Sequence, residues 1–269
     1  MSKDYILKNI VPFDLALTLD CGQAFRWKAL ADSSFEGIAK GRYLKIKQEN
    51  NDLIFYNTSE ADYNNTWCEY FDIKRDYSEI LSRANKNETL AKITKSCSGI
   101  RLLKQDPWEA LCSFIISQNN NIPRIKGIIE RLCENFGDKI EGGYTFPTAE
   151  RISSLSVDDL APLRSGFRAK YIIDAAKKCS NGLVLEDIYS LDIDSARASL
   201  MQIKGVGPKV ADCTLLFGFG FHSAFPMDVW MKRAMATLFD NKLPDGFEDC
   251  AGIIQQYIFE YARSEKLTF

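Results

Sequence analysis

Lys209 stands in "IKGVGPKVADC", residues 203–213, directly behind two glycines and a proline. Gly205-Val206-Gly207-Pro208 reads as a tight turn that hands over to a helix, because proline is favoured at the first helical position and glycine permits the bend. A cation in that first turn faces exposed N–H groups and is disfavoured by about 0.3–1 kcal/mol. Val206, Val210 and Leu216 give it an apolar setting, and Cys213, four residues on, shares its helix face. Dipole repulsion and desolvation both favour the neutral amine, which, unlike an ammonium, can attack carbon. The plain alternative is a surface lysine whose stem covers apolar neighbours. Nineteen residues on, Asp228 in "FPMDVW" follows Pro226 and is placed to cap a helix. A carboxylate held by N–H donors stays ionised, so it could also steady a sugar carbon that turns positive as a bond breaks.

The turn is itself a candidate binding element. A helix, a short Gly-hydrophobic-Gly turn and a second helix leave N–H groups exposed at a helix start, which suits an anion and phosphate in particular. Gly205 and Gly207 are the residues that let a backbone approach so closely. Because the backbone makes such contacts, the motif can hold DNA on an acidic protein. Three further stretches carry groups that read or fill. "QNNNIPR", 118–124, offers amides and Arg124 at a helix start, suited to base edges or to ordinary capping. "RSGFRAKY", 164–171, sets Phe167 among Arg164, Arg168 and Lys170, either a solvated helix start or an aromatic wedge among phosphate contacts. Gln255 and Phe259, four apart, put an amide and a ring on one helix face; an amphipathic helix with Phe in the core gives the same pattern.

The elements that must position these groups follow from periodicity. Within residues 1–60, "QAFRWKAL", "SFEGIAKG", "RYLKIKQ" and "LIFYNT" alternate like strands, with "ENND" as a hairpin connection. From about Asn64 the period is helical to the end. Asp106-Pro107-Trp108-Glu109 is a capping box that opens "WEALCSFIISQ". Gly137 closes "IPRIKGIIERLCENF", Asn181-Gly182 ends "RAKYIIDAAKKC", and "DSARASLMQ" leads into the glycine turn. The expectation is an α+β protein: a small antiparallel sheet in an N-terminal domain, 1–100, followed by an all-helical body, 101–269, that contains the hairpin.

Composition bounds the rest. With 269 residues, 46% hydrophobic and 26% charged, the chain can bury a sizeable core. Its formal charge of −2 and pI near 5.7 confine any nucleic-acid footprint to a local patch. The eight cysteines show no C-x-x-C pair and no secretory leader precedes them, which predicts reduced, mostly buried thiols. A single histidine, His222, leaves a metal site with little support. The longest run without Lys, Arg, Asp or Glu, Cys213 to Met227, is too short and glycine-rich to span a bilayer.

Together "CGQAFRW" (21–27), "NNNIPRI" (119–125), "GFRAKY" (166–171), "GVGPKVADC" (205–213), "FPMDVW" (225–230) and "AGIIQQYIF" (251–259) resemble, in order and over nearly the whole chain, the 8-oxoguanine DNA glycosylase/lyase family of the helix-hairpin-helix glycosylase superfamily. The resemblance implies Lys209 as nucleophile and Asp228 as catalytic carboxylate. It implies the Gly22 carbonyl and Gln255 as readers of an extruded base sandwiched by Cys213 and Phe259. Asn119, Arg124 and Arg168 would contact the cytosine left behind, Phe167 would fill the gap, and Gly205 and Gly207 would hold phosphate. It further implies a monomer acting on double-stranded DNA containing 8-oxoguanine, without cofactor, metal or membrane, in the cytoplasm, or in the nucleus of a eukaryotic cell. Phe167 stands where the family commonly has tyrosine, Trp230 where it has a phosphate-contacting histidine, and Pro123 is inserted in the amide run; these bear on the opposite base and one phosphate contact. Two rivals share parts of the pattern. A glycosylase for alkylated bases has the hairpin and aspartate without the lysine, and a non-enzymatic DNA-binding module has only the hairpin.

Overall fold

The computed structural model describes residues 4–264. Its sheet has five antiparallel strands, β1 (Tyr5–Leu7), β2 (Trp27–Ala29), β3 (Phe35–Ala39), β4 (Arg42–Glu49) and β5 (Asp52–Phe55), in the order β1-β5-β4-β3-β2. Register follows the side-chain alternation. Ile46 pairs with Phe55 and Gln48 with Leu53, while Trp27 pairs with Gly37. Leu44, Ile46, Leu53 and Phe55 point inward and are buried, as period-two strands with one covered face require. The expected antiparallel sheet and helical body are both present.

Two features depart from the expected order. Leu15–Asp20 forms a helix, α1, between the first two strands, and Asp14 caps it by accepting from the Leu17 N–H. Within the helical body, β6 (Lys139–Ile140) and β7 (Gly143–Tyr144) form a two-strand hairpin. Strands of two residues carry no periodicity, so no pattern in the sequence announces them.

Compactness divides the chain into two units, neither continuous in sequence. The first comprises the described parts of Met1–Gln23, Ile46–Lys104 and Phe221–Phe269. Its helical elements are α1, then α2 (Glu60–Asp62), a π turn over Tyr63–Trp67 and α3 (Cys68–Tyr70), then α4 (Tyr77–Ala84), α5 (Glu88–Cys97), α12 (Val229–Phe239) and α13 (Ala251–Ser264). Trp67, Tyr70, Phe71 and Phe55 meet edge-on in its core, the favoured geometry for aromatic rings. Buried Arg101 lies 4.5 Å over the Tyr77 ring and donates to the Asp72 carbonyl. α13 packs on α5 and α12.

The second unit comprises Ala24–Lys45 and Gln105–Gly220. It holds α6 (Pro107–Ser117), α7 (Ile122–Phe136), α8 (Ala149–Ser153), α9 (Arg168–Ser180), α10 (Ile193–Met201) and α11 (Pro208–Thr214), the last continued by a π turn over Leu215–Phe219. Every residue of α6 from Trp108 to Ile116 is buried, because a helix apolar on all sides must be enclosed. It is enclosed by α7, α9 and α11. The capping box is formed as expected, with Asp106 accepting from the Glu109 N–H at 2.9 Å. The compact units follow contacts, and strand β4 passes from one unit to the other.

Candidate functional site

In the second unit, α10, the glycine turn and α11 form the helix–hairpin–helix. Asp192 caps α10, and Arg197 ties it to α11 through a 2.7 Å ion pair with buried Asp212. Asp174 accepts from the Lys204 N–H at 2.7 Å and holds the entry to the turn. Gly205 has φ +79°, and a Cβ there would lie 2.4 Å from the Tyr171 ring. Gly207 is different. It is the extended N-cap of α11, and a Cβ on it meets no atom within 4 Å. The turn therefore presents open space beside the first N–H groups of α11.

Lys209 sits in the first turn of α11, half-buried. Its Nζ lies 5.2 Å from the centroid of the Phe114 ring and donates to Ser117 Oγ at 3.4 Å. Phe114 in turn stacks on Phe217, centroids 5.3 Å apart. The amine is thus held over an aromatic face, with a single neutral hydroxyl nearby. Cys213, one turn further, is buried. Sequence reasoning missed Phe114 and Ser117. They lie three apart on α6, where uniform apolarity removes the contrast that would mark one face.

The amide run is resolved into three different roles. Asn121 caps α7, accepting from the Arg124 N–H at 3.0 Å, and Asn120 donates back to the Ile116 carbonyl at 3.1 Å. Asn119 is exposed and in the left-handed region, φ +46°. Arg124 is exposed as well. Arg168 is placed otherwise, at 2% exposure. Its guanidinium donates to the carbonyls of Gln118 (3.0 Å), Asn119 (2.9 Å) and Ser165 (3.2 Å) and lies 4.4 Å over the Phe167 ring. Desolvation, and next the charge of Arg124, hold its pKa below the usual arginine value. Arg168 therefore fixes the strained Asn119 turn from within, a role no spacing could announce. Phe167 at the start of α9 is 47% exposed and meets Tyr171 edge-on at 5.8 Å.

In the first unit, Asp228 is the N-cap of α12, with Oδ1 accepting from the Met231 N–H at 2.8 Å. The next two residues, Val229 and Trp230, are exposed. On α13, Gln255 is buried and donates from Nε2 to the Pro226 carbonyl at 3.3 Å. Among the described residues its Oε1 is buried without a hydrogen-bond partner, which costs about 1–3 kcal/mol in a folded protein. An acceptor left so suits a ligand donor. Phe259, one turn on, is half-buried. Gly22 has φ +85°, and no hydrogen bond to its carbonyl oxygen is formed among the described residues.

Among the described residues no group of three or more His, Cys, Asp or Glu could hold a metal ion, and no helix is long and apolar enough to cross a membrane. No disulfide joins the described cysteines. Burial pushes the Cys21 thiol up to about 12 and Cys112 well above the usual range.

The hairpin, with a lysine in its second helix and an aspartate capping the helix that follows, lies within a stretch that a family model matches. Residues 5–111 match the family model for the 8-oxoguanine DNA glycosylase N-terminal domain, and residues 112–245 the model for HhH-GPD superfamily base excision DNA repair proteins. The chain is similar to an N-glycosylase/DNA lyase of Saccharomyces cerevisiae, 33% identical over 81% of this chain and 66% of that protein. It is also similar to the N-glycosylase/DNA lyase OGG1 of Arabidopsis thaliana, 31% identical over 80% and 64%. The chain thus spans about two thirds of the length of these two relatives. A Clostridium acetobutylicum 8-oxoguanine glycosylase/lyase, solved with double-stranded DNA containing cytosine opposite 8-oxoguanine, superposes with TM-score 0.92 at 38% identity over 99% of both chains. The chain belongs to the 8-oxoguanine DNA glycosylase family.

Proposed function

We propose that the protein is a bifunctional glycosylase/lyase that extrudes 8-oxoguanine opposite cytosine from duplex DNA, excises it and cleaves the strand. The observation that carries this reading is Lys209, an amine in the first turn of α11 directly behind the hairpin. Attack of the neutral amine on the sugar C1′ forms a C–N bond as the bond from C1′ to the base breaks, and the base leaves with the electron pair and gains a proton. Asp228 is the carboxylate that steadies the cationic sugar. The attached amine loses its protons as the C1′–O4′ bond breaks and O4′ takes up a proton, which opens the sugar to an imine; the imine makes a C2′ proton acidic, and its loss breaks the C3′–O bond and expels the 3′ phosphate.

Recognition has a simple physical basis. Oxidation at C8 turns guanine N7 from acceptor into N–H donor, so one fixed carbonyl, that of Gly22, would welcome the lesion and oppose guanine by about 1–3 kcal/mol. Extrusion and stacking supply the remaining selectivity. The orphaned Oε1 of Gln255 supports a further base-edge contact, and Cys213 and Phe259 are the stacking faces. Exposed Phe167 supports the wedge reading, Asn119 and Arg124 meet the widowed cytosine, and the burial of Arg168 favours a positioning role over a direct contact. The N–H groups at Gly205 and Gly207 hold phosphate. The enzyme acts as a monomer wherever the DNA lies, the cytoplasm or a eukaryotic nucleus.

Incubation with an 8-oxoguanine:cytosine duplex tests the reading against its rivals. Release of the oxidised base with strand cleavage is expected. Release of alkylated bases without cleavage, or binding with no release, would replace it.

A further inference from the structure

α13 carries two adjacent glutamines, and only Gln255 has been given a role. Gln256 is buried, 3% exposed, and one residue along a helix turns it about 100° away from Gln255. Its Nε2 donates to the Cys21 carbonyl at 3.0 Å. That carbonyl belongs to the peptide plane just before Gly22. One residue earlier, the Asp20 carbonyl accepts from Arg263 Nη2 at 3.0 Å, also from α13.

The residue after Gly22 is anchored through its side chain. Gln23 is fully buried, its Nε2 donating to the carbonyls of Thr18 and Arg101, both at 2.8 Å, and its Oε1 accepting from the Leu103 N–H at 2.9 Å. Between the held Cys21 carbonyl and the anchored Gln23 stands Gly22 at φ +85°. A glycine has two soft torsions and, alone, would let its carbonyl swing. The clamps on both sides favour one direction for that carbonyl.

We propose that Gln256 is a positioning residue for lesion recognition: by holding the Cys21 carbonyl it fixes the direction of the Gly22 carbonyl, and so sets how sharply N7–H is told from a bare N7. The proposal rests on the reading that the Gly22 carbonyl accepts from N7–H. A carbonyl that can swing loses the bond to the lesion and also escapes the repulsion of an acceptor, so discrimination falls from both sides. Gln256 touches no base itself.

The test is equilibrium binding by the full chain carrying Lys209→Gln, which prevents reaction. Three duplexes are compared, bearing 8-oxoguanine, its 7-deaza analogue with C–H in place of N7–H, or a tetrahydrofuran abasic site. With Gln256 intact, 8-oxoguanine should bind about tenfold tighter than the analogue, within the range one hydrogen bond to a buried acceptor supplies. Indifference at this stage removes the Gly22 reading itself, whatever Gln256 does. With Gln256→Met, which keeps volume and removes the donor, the ratio should shrink to about twofold or less while abasic-site binding stays within about twofold. An unchanged ratio overturns the proposal. So does an equal loss on all three duplexes, which marks a merely structural residue. Should the Met variant not fold, Arg263→Met, at the exposed end of the same clamp, should shrink the ratio in the same direction by a smaller factor; an unchanged ratio there overturns it too.

Discussion

The Tyr171 ring lies so close to Gly205 that a Cβ on that residue would sit 2.4 Å from Cδ2, whereas a Cβ on Gly207, two residues away, would meet nothing within 4 Å. The two hairpin glycines thus stand in different surroundings. Gly205 serves the fold: alanine there meets the ring and also a left-handed φ, itself worth about 1–2 kcal/mol. Gly207→Ala should leave the melting temperature within a degree or two and weaken duplex binding, since its Cβ would occupy the space a phosphate needs. Gly205→Ala should lower both. Thermal melts with binding titrations on each variant check the pair; full binding by Gly207→Ala would take the phosphate away from this turn.

The orphaned Oε1 of Gln255 separates stability from function. Gln255→Leu removes the unsatisfied acceptor while keeping most of the volume, but it also removes the Nε2 bond to the Pro226 carbonyl, so the two effects should offset and stability should change by no more than about 1 kcal/mol. Excision of 8-oxoguanine should fall by about tenfold or more, as one polar contact to the base is lost. Cleavage of a preformed abasic site should change far less. Chemical denaturation and single-turnover assays read the two effects; a destabilised variant with normal excision would return Gln255 to the core.

The titration of His222 should be visible in stability. Desolvation, and next the neighbouring Arg75, press its pKa down from 6.5 to about 4, and its ring is within hydrogen-bond distance of the Arg75 guanidinium. Folded His222 stays neutral while the unfolded chain takes up a proton, so unfolding binds protons between those values. Stability should therefore be constant above about pH 6.5, fall as pH drops towards 4, and change no further below it on this account, by a total on the order of 3 kcal/mol. Urea titrations at pH 7 and pH 5, with and without His222→Gln, test this. An equal pH 7-to-5 drop in the variant would assign the loss to other groups.

Much of this was legible in the sequence because it is local. Asp106, Asn121 and Asp228 cap the helices their spacing implied, and Gly137 and Asn181 close theirs. Lys209 was marked by a local rule that it breaks. What stayed hidden depends on contacts far apart in the chain. Arg168 reads as an exposed cation at a helix start, and only folding brings the carbonyls of Gln118 and Asn119 to it. Gln256 reads as the polar neighbour of Gln255, and its partner Cys21 lies 235 residues away. Phe114 and Ser117 were lost in a helix apolar on every side, since only the fold shows which face meets Lys209.

The central claim is that Lys209 is the nucleophile. Borohydride added during reaction with an 8-oxoguanine:cytosine duplex reduces the imine and should leave a stable covalent protein–DNA adduct. Lys209→Gln should abolish both the adduct and strand cleavage while lesion binding is largely kept, because the phosphate site proposed at the hairpin is built from backbone and not from this side chain. Asp228→Asn should still form the adduct, but slower by about 10²–10³, the loss expected when one electrostatic stabiliser is removed. An undiminished adduct with Lys209→Gln would contradict the claim and move the nucleophile to another residue.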